Sequence, residues 1–460
     1  MCPSEWKEAL RNIRDSLPET SGMKEDEFLN FNDVVETSRN TLNRSLQRIL
    51  AEVQELFQQN RWEDILALIY PVEEKFPELL DAGLDTEIRS KAGFALGQLM
   101  RFDEAISELL ICVEKEPGNF YHHSSLAYTA YNSLYAAHNK EIFLRGEHRK
   151  KRIELAHKHF KKAQELRPDG VTNFYREAML YKQIENKPEK SIYFFEKAVE
   201  NWERLDEEEK KSRAQERKNY IKALYQLSSA LLAKKLPRSA LKFLEKCIDK
   251  DKESNFVEPL FKYFALGKIN FYLNNFQEAK NALEFSLACA DGKPVDFVYE
   301  LLSRTLLAMG NVEGAAETIR RVPEKKRRPY YRWTEADILC AMKDFDGARQ
   351  ALKKSMERDR RSRHKALIRL AKIEYLLANY EKSLKYATSA REFFYETWNG
   401  LLDDAIFYEA LNQYRLGDRE KALELASKLE KINPHYPKLG LLLTRLRKNH
   451  EGHEDETRQF

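Results

Sequence analysis

Histidines, cysteines and carboxylates are the residues through which this chain could do chemistry, and their spacing decides whether they can. His122 and His123 stand beside Ser124 and Ser125, a base next to a nucleophile, as a hydrolase needs. No oxyanion loop and no orienting acid accompanies them, so they read as packing residues. His157 and His159 are two apart, which on a helix sends them to different faces, in solvated or packing roles. His450 and His453 in HEGHE are three apart, not the four of H-E-x-x-H, so they make no zinc pair. The five cysteines, at positions 2, 112, 247, 289 and 340, form no C-x-x-C and match no zinc-site spacing. Cys112, Cys247 and Cys289 fall where a helix face should be buried, the pattern of reduced core thiols and of a reducing compartment. There is no G-x-G-x-x-G and no G-x-x-x-x-G-K-[ST], hence no loop to cradle phosphate. Carboxylates lie beside Lys and Arg on helix faces, where they give solubility and weak pairing. The expectation is a protein without metal or cofactor and without a catalytic constellation.

Charge is the more informative signal. The whole chain has a formal net charge of +4, yet residues 320–372 hold 18 Lys and Arg against 7 Asp and Glu, a balance of +11. The densest runs are EKKRRPYYR (324–332) and RDRRSRHK (358–365). Lys325, Lys326, Arg327, Arg328, Arg358, Arg360, Arg361 and Arg363 form a candidate basic patch. Solvated loops, an acidic protein segment and a nucleic-acid backbone each explain such a patch. Tyr330, Tyr331 and Trp333 lie amid these cations and could stack on bases. A second basic run, RGEHRKKR, occupies 145–152.

The elements that must carry these residues are helices. Gly (16) and Pro (14) are scarce in 460 residues, as in mostly helical chains. A phrase recurs along the chain: RFDEAISELLICVEKEPGN (101–119), NRWEDILALIYPVEEKFPE (60–78), RIELAHKHFKKAQELRPDG (152–170) and GDREKALELASKLEKINPH (417–435). In each, a proline follows a small or apolar anchor by twelve residues. The ten anchors are Ile65, Ala105, Ala156, Ser191, Ala240, Ala279, Ala315, Ala348, Ser383 and Ala422, separated by 33 to 51 residues. Such a period is a helical hairpin repeated along an array. Each anchored helix is preceded by another, across short polar links such as Asn275, Gly310-Asn311, Asn379 and Gly417-Asp418. Two spacings are long. One takes an insertion at 138–152, the other a second helix expected to run on through 201–218 as a solvated rod.

This pattern resembles the tetratricopeptide repeat family. Leu266-Gly267 matches that family's first-helix Leu-Gly pair, and the aromatic, the following Ala and the terminal Pro match its second helix. The resemblance covers about 46–434 and implies an all-α, right-handed superhelical solenoid of about ten hairpins. The expected plan is an N-terminal helix and linker (1–45), the array (46–434), a C-terminal capping helix (435–448) and a disordered tail (449–460).

In that family the first helices line a concave groove that binds a peptide or a partner helix. The residues expected there are Tyr225, Phe264, Lys268, Arg304, Trp333, Asp337, Arg369, Lys372, Tyr375 and Tyr408. The family's carboxylate clamp is not matched at any three successive repeats, which disfavours chaperone-tail binding. The leading reading is a non-enzymatic scaffold or adaptor that binds a protein or peptide partner in the groove. One alternative is a nucleic-acid-binding or regulatory subunit of a ribonucleoprotein or transcription complex, using 320–372. A weaker one is a peptide-sensing regulator. No stretch of eighteen apolar residues suggests a membrane span, and the first residues hold no apolar run like a secretory signal. A cytoplasmic location is therefore expected. The oligomeric state stays open.

Overall fold

The computed structural model describes residues 31–447, with side chains from residue 37. The expectations for 1–30, for HEGHE and for the tail lie outside the described residues. The regular structure among those described is helical, with no strand. They divide into two compact units, meeting between Tyr220 and Ile221.

The first unit holds α1 (Phe31–Gln58), α2 (Trp62–Ile69), α3 (Val72–Lys75), α4 (Pro77–Asp81), α5 (Thr86–Gln98) and α6 (Phe102–Lys115). It continues with α7 (Phe120–His138), α8 (Gly146–Leu166), α9 (Thr172–Met179), a π-helical turn (Leu180–Glu185), α10 (Pro188–Arg204) and α11 (Glu207–Ser212). α12 (Ala214–Ala233) crosses the boundary. The second unit adds α13 (Pro237–Lys250), α14 (Pro259–Tyr272), α15 (Phe276–Ala288), α16 (Asp296–Ala308), α17 (Val312–Arg320) and α18 (Pro329–Ala341). It ends with α19 (Phe345–Arg358), α20 (Arg363–Leu376), α21 (Tyr380–Trp398), α22 (Asp403–Arg415), α23 (Arg419–Ile432) and the cap α24 (Leu439–Arg447).

The hairpins pair α1 with α2, α5 with α6, α7 with α8, α9 with α10, and so on from α12/α13 to α22/α23. All ten anchors are buried, each at most 1% exposed. The turn before them is as regular. Nine anchors have a left-handed residue five positions earlier: Asn60, Met100, Asn186, Lys235, Asn274, Gly310, Lys343, Ala378 and Gly417. The next backbone N–H reaches back to the first helix, as Asn275 N–H to Asn270 O at 2.9 Å and Asp344 N–H to Leu339 O at 2.9 Å. This is a Schellman closure, which satisfies carbonyls that a helix end leaves open. That same residue's carbonyl accepts the anchor's own N–H, Ala279 to Asn275 at 2.9 Å. One residue therefore ends the first helix and starts the second. Before Ser191 the closure spans six residues, Lys187 N–H to Tyr181 O at 2.9 Å, because the π turn adds one.

Close packing inside a hairpin needs a small residue on both helices. Gly267 lies twelve before Ala279, and a Cβ there would stand 2.6 Å from Leu283 Cγ. Gly93, twelve before Ala105, would meet Leu109 Cγ at 2.8 Å. From Ser228 onward every such position is small: Ser228, Gly267, Ser303, Ala336, Ala371 and Ala410.

Several expectations are corrected. The rod through 201–218 is broken: α10 stops at Arg204, and Asp206 opens the short α11 with a capping box to Glu209. The local hydrogen bonds of that box win over helix continuation. Of the 138–152 insertion, only 139–145 is a connection, since α8 begins at Gly146. In the first hairpin Pro71 interrupts the second helix after Ile69, as a residue without a backbone N–H does. The domain boundary placed after residue 45 falls inside the continuous helix α1. Cys289 is half-buried, at the end of α15 rather than within its packed face.

Candidate functional site

Every groove candidate sits on a first helix of the second unit: Tyr225 on α12, Phe264 and Lys268 on α14, Arg304 on α16, Trp333 and Asp337 on α18, Arg369, Lys372 and Tyr375 on α20, Tyr408 on α22. Five of them, Phe264, Lys268, Arg304, Trp333 and Arg369, line a single cleft of about 620 Å³. Its walls come from the first helices of five successive hairpins and the approach to the last. An adjoining hollow of similar size shares Phe264, Lys268 and Tyr272 and brings in Tyr225.

The cleft is aromatic and basic. The Phe264 ring meets Phe297 edge-on, with centroids 4.6 Å apart. Trp333 donates its indole N–H to Ser355 Oγ at 2.7 Å. Its ring carries the Lys365 ammonium at 5.0 Å and the Arg369 guanidinium at 5.7 Å, a cation–π arrangement. Arg304 stacks over Phe271 at 4.8 Å. Arg369 grips Asp337 with two nitrogens, the closest contact being 2.9 Å, the bidentate geometry that makes such pairs strong. On the floor, buried Glu300 accepts from the Thr334 hydroxyl at 2.6 Å and lies 3.8 Å from Arg304. Burial pushes its carboxyl above the usual range, against the pull of Arg304. Lys268 and Lys365 are exposed and have no carboxylate partner among the described residues.

Other candidates take different roles. Lys372 is exposed but does not line the cleft. Tyr375 is 8% exposed, belongs to the core of the last hairpin and accepts a hydrogen bond from Arg415 Nε at 3.0 Å. Tyr408 packs against the same core. Tyr375 stands six residues past Arg369 and Tyr408 four past Asp404, each beyond the last cleft residue of its helix. The cleft also takes Tyr272, Phe297, Glu300, His364 and Lys365, which the expected groove set leaves out, and Tyr330, which the sequence marked only as part of the basic segment. Their signal was present: they continue the chosen stripes at helical spacing, as Phe264–Lys268–Tyr272 and Phe297–Glu300–Arg304.

The basic patch separates into two kinds. Arg327 is engaged with Glu335 at 2.7 Å and with the Val322 carbonyl at 3.0 Å. Lys325, Lys326, Arg328, Arg358, Arg360, Arg361 and Arg363 are exposed and have no carboxylate partner among the described residues. Tyr331, in the same segment, is fully buried.

The histidines and thiols are structural in their contacts. His123 Nδ1 lies 2.8 Å from His159 Nδ1, and its Nε2 lies 2.9 Å from the Pro117 carbonyl. His157 is held between Glu177 and Glu185, each at 2.7 Å, so it is packed rather than solvated. Burial pushes the Cys112 thiol up to about 12. Among the described residues no group of three or more His, Cys, Asp or Glu is placed to hold a metal ion. No helix there is long and apolar enough to cross a membrane.

No curated protein matches this sequence. Of solved structures, the apo form of RapI aligns with 77% of this chain and 99% of its own, at 13% identity and a TM-score of 0.55. Yeast Tom70 aligns with 88% of this chain and 95% of its own, at 12% identity and a TM-score of 0.39. The likeness to RapI is one of fold. Residues 198–378 match the family model described as a tetratricopeptide repeat-like domain. Within that stretch the helical hairpins resemble tetratricopeptide repeats.

Proposed function

We propose that the chain is a non-enzymatic adaptor that holds a segment of a protein partner in the cleft of its second unit. The observation that carries this reading is the cleft itself: successive first helices present aromatic rings and unpaired lysines to one open channel. Tyr272, 57% exposed at its wall, is an unusual residue to leave in water, and exposed aromatics of this kind anchor interfaces. The channel is open along several helices, which suits an extended or helical segment better than a compact metabolite.

The test is comparative capture from native lysate with nuclease present. Wild type and the Tyr272→Ala and Lys268→Ala variants are compared by quantitative mass spectrometry. A protein enriched by wild type and lost from both variants supports the cleft. Equal recovery from all three baits overturns it.

A further inference from the structure

The unpaired cations of the second unit are not scattered. Lys325, Lys326 and Arg328 lie on the connection from α17 to α18, and Arg360 and Arg361 on the connection from α19 to α20. Arg358 and Arg363 flank the second connection. Both segments join one hairpin to the next, so they lie on the same edge of the unit, and Lys354 of α19 reaches Glu324 of the first connection at 3.6 Å. The acids of these loops are already engaged. Glu324 binds Arg332 at 2.7 Å, and Asp359 accepts the Ser362 backbone N–H at 3.0 Å. Glu357, in the last turn of α19, is exposed with seven such cations around these loops. Like charges held together without partners do not stabilise a fold. They create a positive field that attracts a polyanion.

Beside the cations stands an apolar ledge. α21 runs for 19 residues, against 14 for α13, α19 and α23. The extra length carries Phe394 and Trp398, and Phe393 stands just before it. Buried His364, next to Arg363 in the chain, lies 4.9 Å from the Trp398 ring and 5.1 Å from Phe394. Tyr395, Trp398 and Leu401 remain exposed on this ledge. His364 and Leu402 also line the cleft, so ledge and cleft are continuous.

We infer that this edge docks an acidic polypeptide segment bearing an aromatic or large aliphatic residue. The loop cations take its carboxylates, and the ledge of Tyr395, Trp398 and Leu401 takes the apolar side chain. The inference rests on the proposal that the partner is a protein, and it adds that partner's chemistry. A nucleic-acid strand fits less well. Within the basic segment Tyr331 is buried, and Trp333 is tied to Ser355 beneath two cations. The Trp398 ring already packs on Phe394 at 5.0 Å. Stacking needs open ring faces among the cations.

The experiment is a fluorescence anisotropy titration of the full chain at physiological salt. The probes are a glutamate–tyrosine copolymer, polyglutamate, and single- and double-stranded oligonucleotides of matched charge. Wild type should bind the copolymer tightest. Replacing Lys325, Lys326, Arg328, Arg360 and Arg361 with Ser should weaken it about tenfold or more, and flatten its salt dependence. Tyr395→Ser, at an exposed position, should remove part of the copolymer's advantage over polyglutamate and leave polyglutamate unchanged. Tyr272→Ala separates the two proposals. Loss in the charge variant with Tyr272→Ala unaffected supports the edge, and the cleft is then judged by its own capture test. Loss in Tyr272→Ala alone places the copolymer in the cleft and overturns the edge. Oligonucleotides binding as tightly as the copolymer overturn it in favour of a nucleic-acid surface.

Discussion

Both units bury matched charge, as Lys262 with Asp251 at 2.9 Å in the second, but among the described residues only the second also gathers unmatched cations on successive loops. The first holds the larger matched cluster. Arg89, 3% exposed on α5, bonds Asp85 at 2.5 Å, Glu108 at 2.6 Å and Glu73 at 2.7 Å, while Lys115 closes on Asp85. Burial alone would raise the Asp85 carboxyl, but hydrogen bonds from Lys115 and Arg89 outweigh it and hold it low. Glu108 remains raised by burial despite Arg89. In the second unit the loops around 325–328 and 358–363 leave their cations in water, unmatched. The lesson is that a charge count does not reveal a surface. Matched charges belong to folding, and unmatched ones are left for something outside the chain.

The strongest way to break that comparison is to empty the matched network. Arg89→Met leaves Glu108 buried without its cation and Asp85 with Lys115 as its remaining one. Removing one member of a buried ionic cluster costs about 3–5 kcal/mol. Denaturant unfolding should show that loss in the transition of the first unit. A loss under about 1 kcal/mol would mean the carboxylates find water or neutralise cheaply, and the contrast between units would shrink to geometry.

A second measurement asks whether the units differ in their hairpins as well as in their charges. Gly93→Ala in the first unit and Gly267→Ala in the second each drive a Cβ toward a leucine Cγ, at 2.8 and 2.6 Å, with a carbonyl oxygen at 3.2 Å. Overpacking costs about 1–3 kcal/mol, and the gain in helix propensity returns up to about 1 kcal/mol. A net loss of about 1 kcal/mol is expected at both sites. Equal losses mean one packing module serves both units. A gain at either would show that Leu109 or Leu283 has room to turn aside.

That module was legible in the sequence because it is local. A small anchor, a turn and a helix repeat at similar distances, and every anchor is buried. The small residue twelve positions earlier is read from sequence at Gly267 alone, although it is equally visible in the other hairpins from Ser228 onward. Interruptions were harder. Pro71 and the capping box at Asp206 are local signals, but they were overridden by the expectation of continuous helix. The cleft was half legible. First-helix stripes bring five of the ten expected groove residues to one cleft, while which turn of the stripe reaches it depends on how neighbouring hairpins stack. Pairing was not legible at all. Nothing in the run EKKRRPYYR says that Arg327 turns inward to Glu335 while Lys325, Lys326 and Arg328 stay outside, since Glu335 meets it only once α18 is folded.

The smallest expected effect is the sharpest for the comparison. If the cations of the second unit have no role in folding, replacing them should leave stability almost unchanged. Lys325, Lys326 and Arg328 are exposed and unpaired, and surface changes away from specific contacts fall within about 0.5 kcal/mol. Serine at all three should therefore shift the denaturant midpoint little, and upward if anything, because self-repulsion on the edge is relieved. Adding salt should narrow the difference from wild type, since screening weakens repulsion between exposed charges. Arg327→Ser serves as the internal contrast. It removes contacts to Glu335 and to the Val322 carbonyl, so it should cost about 1–3 kcal/mol although it neighbours the other three in sequence. If the triple variant loses as much as Arg327→Ser, the edge cations hold the loops in place, and they would then belong with the matched network of the first unit rather than with a surface kept for a partner.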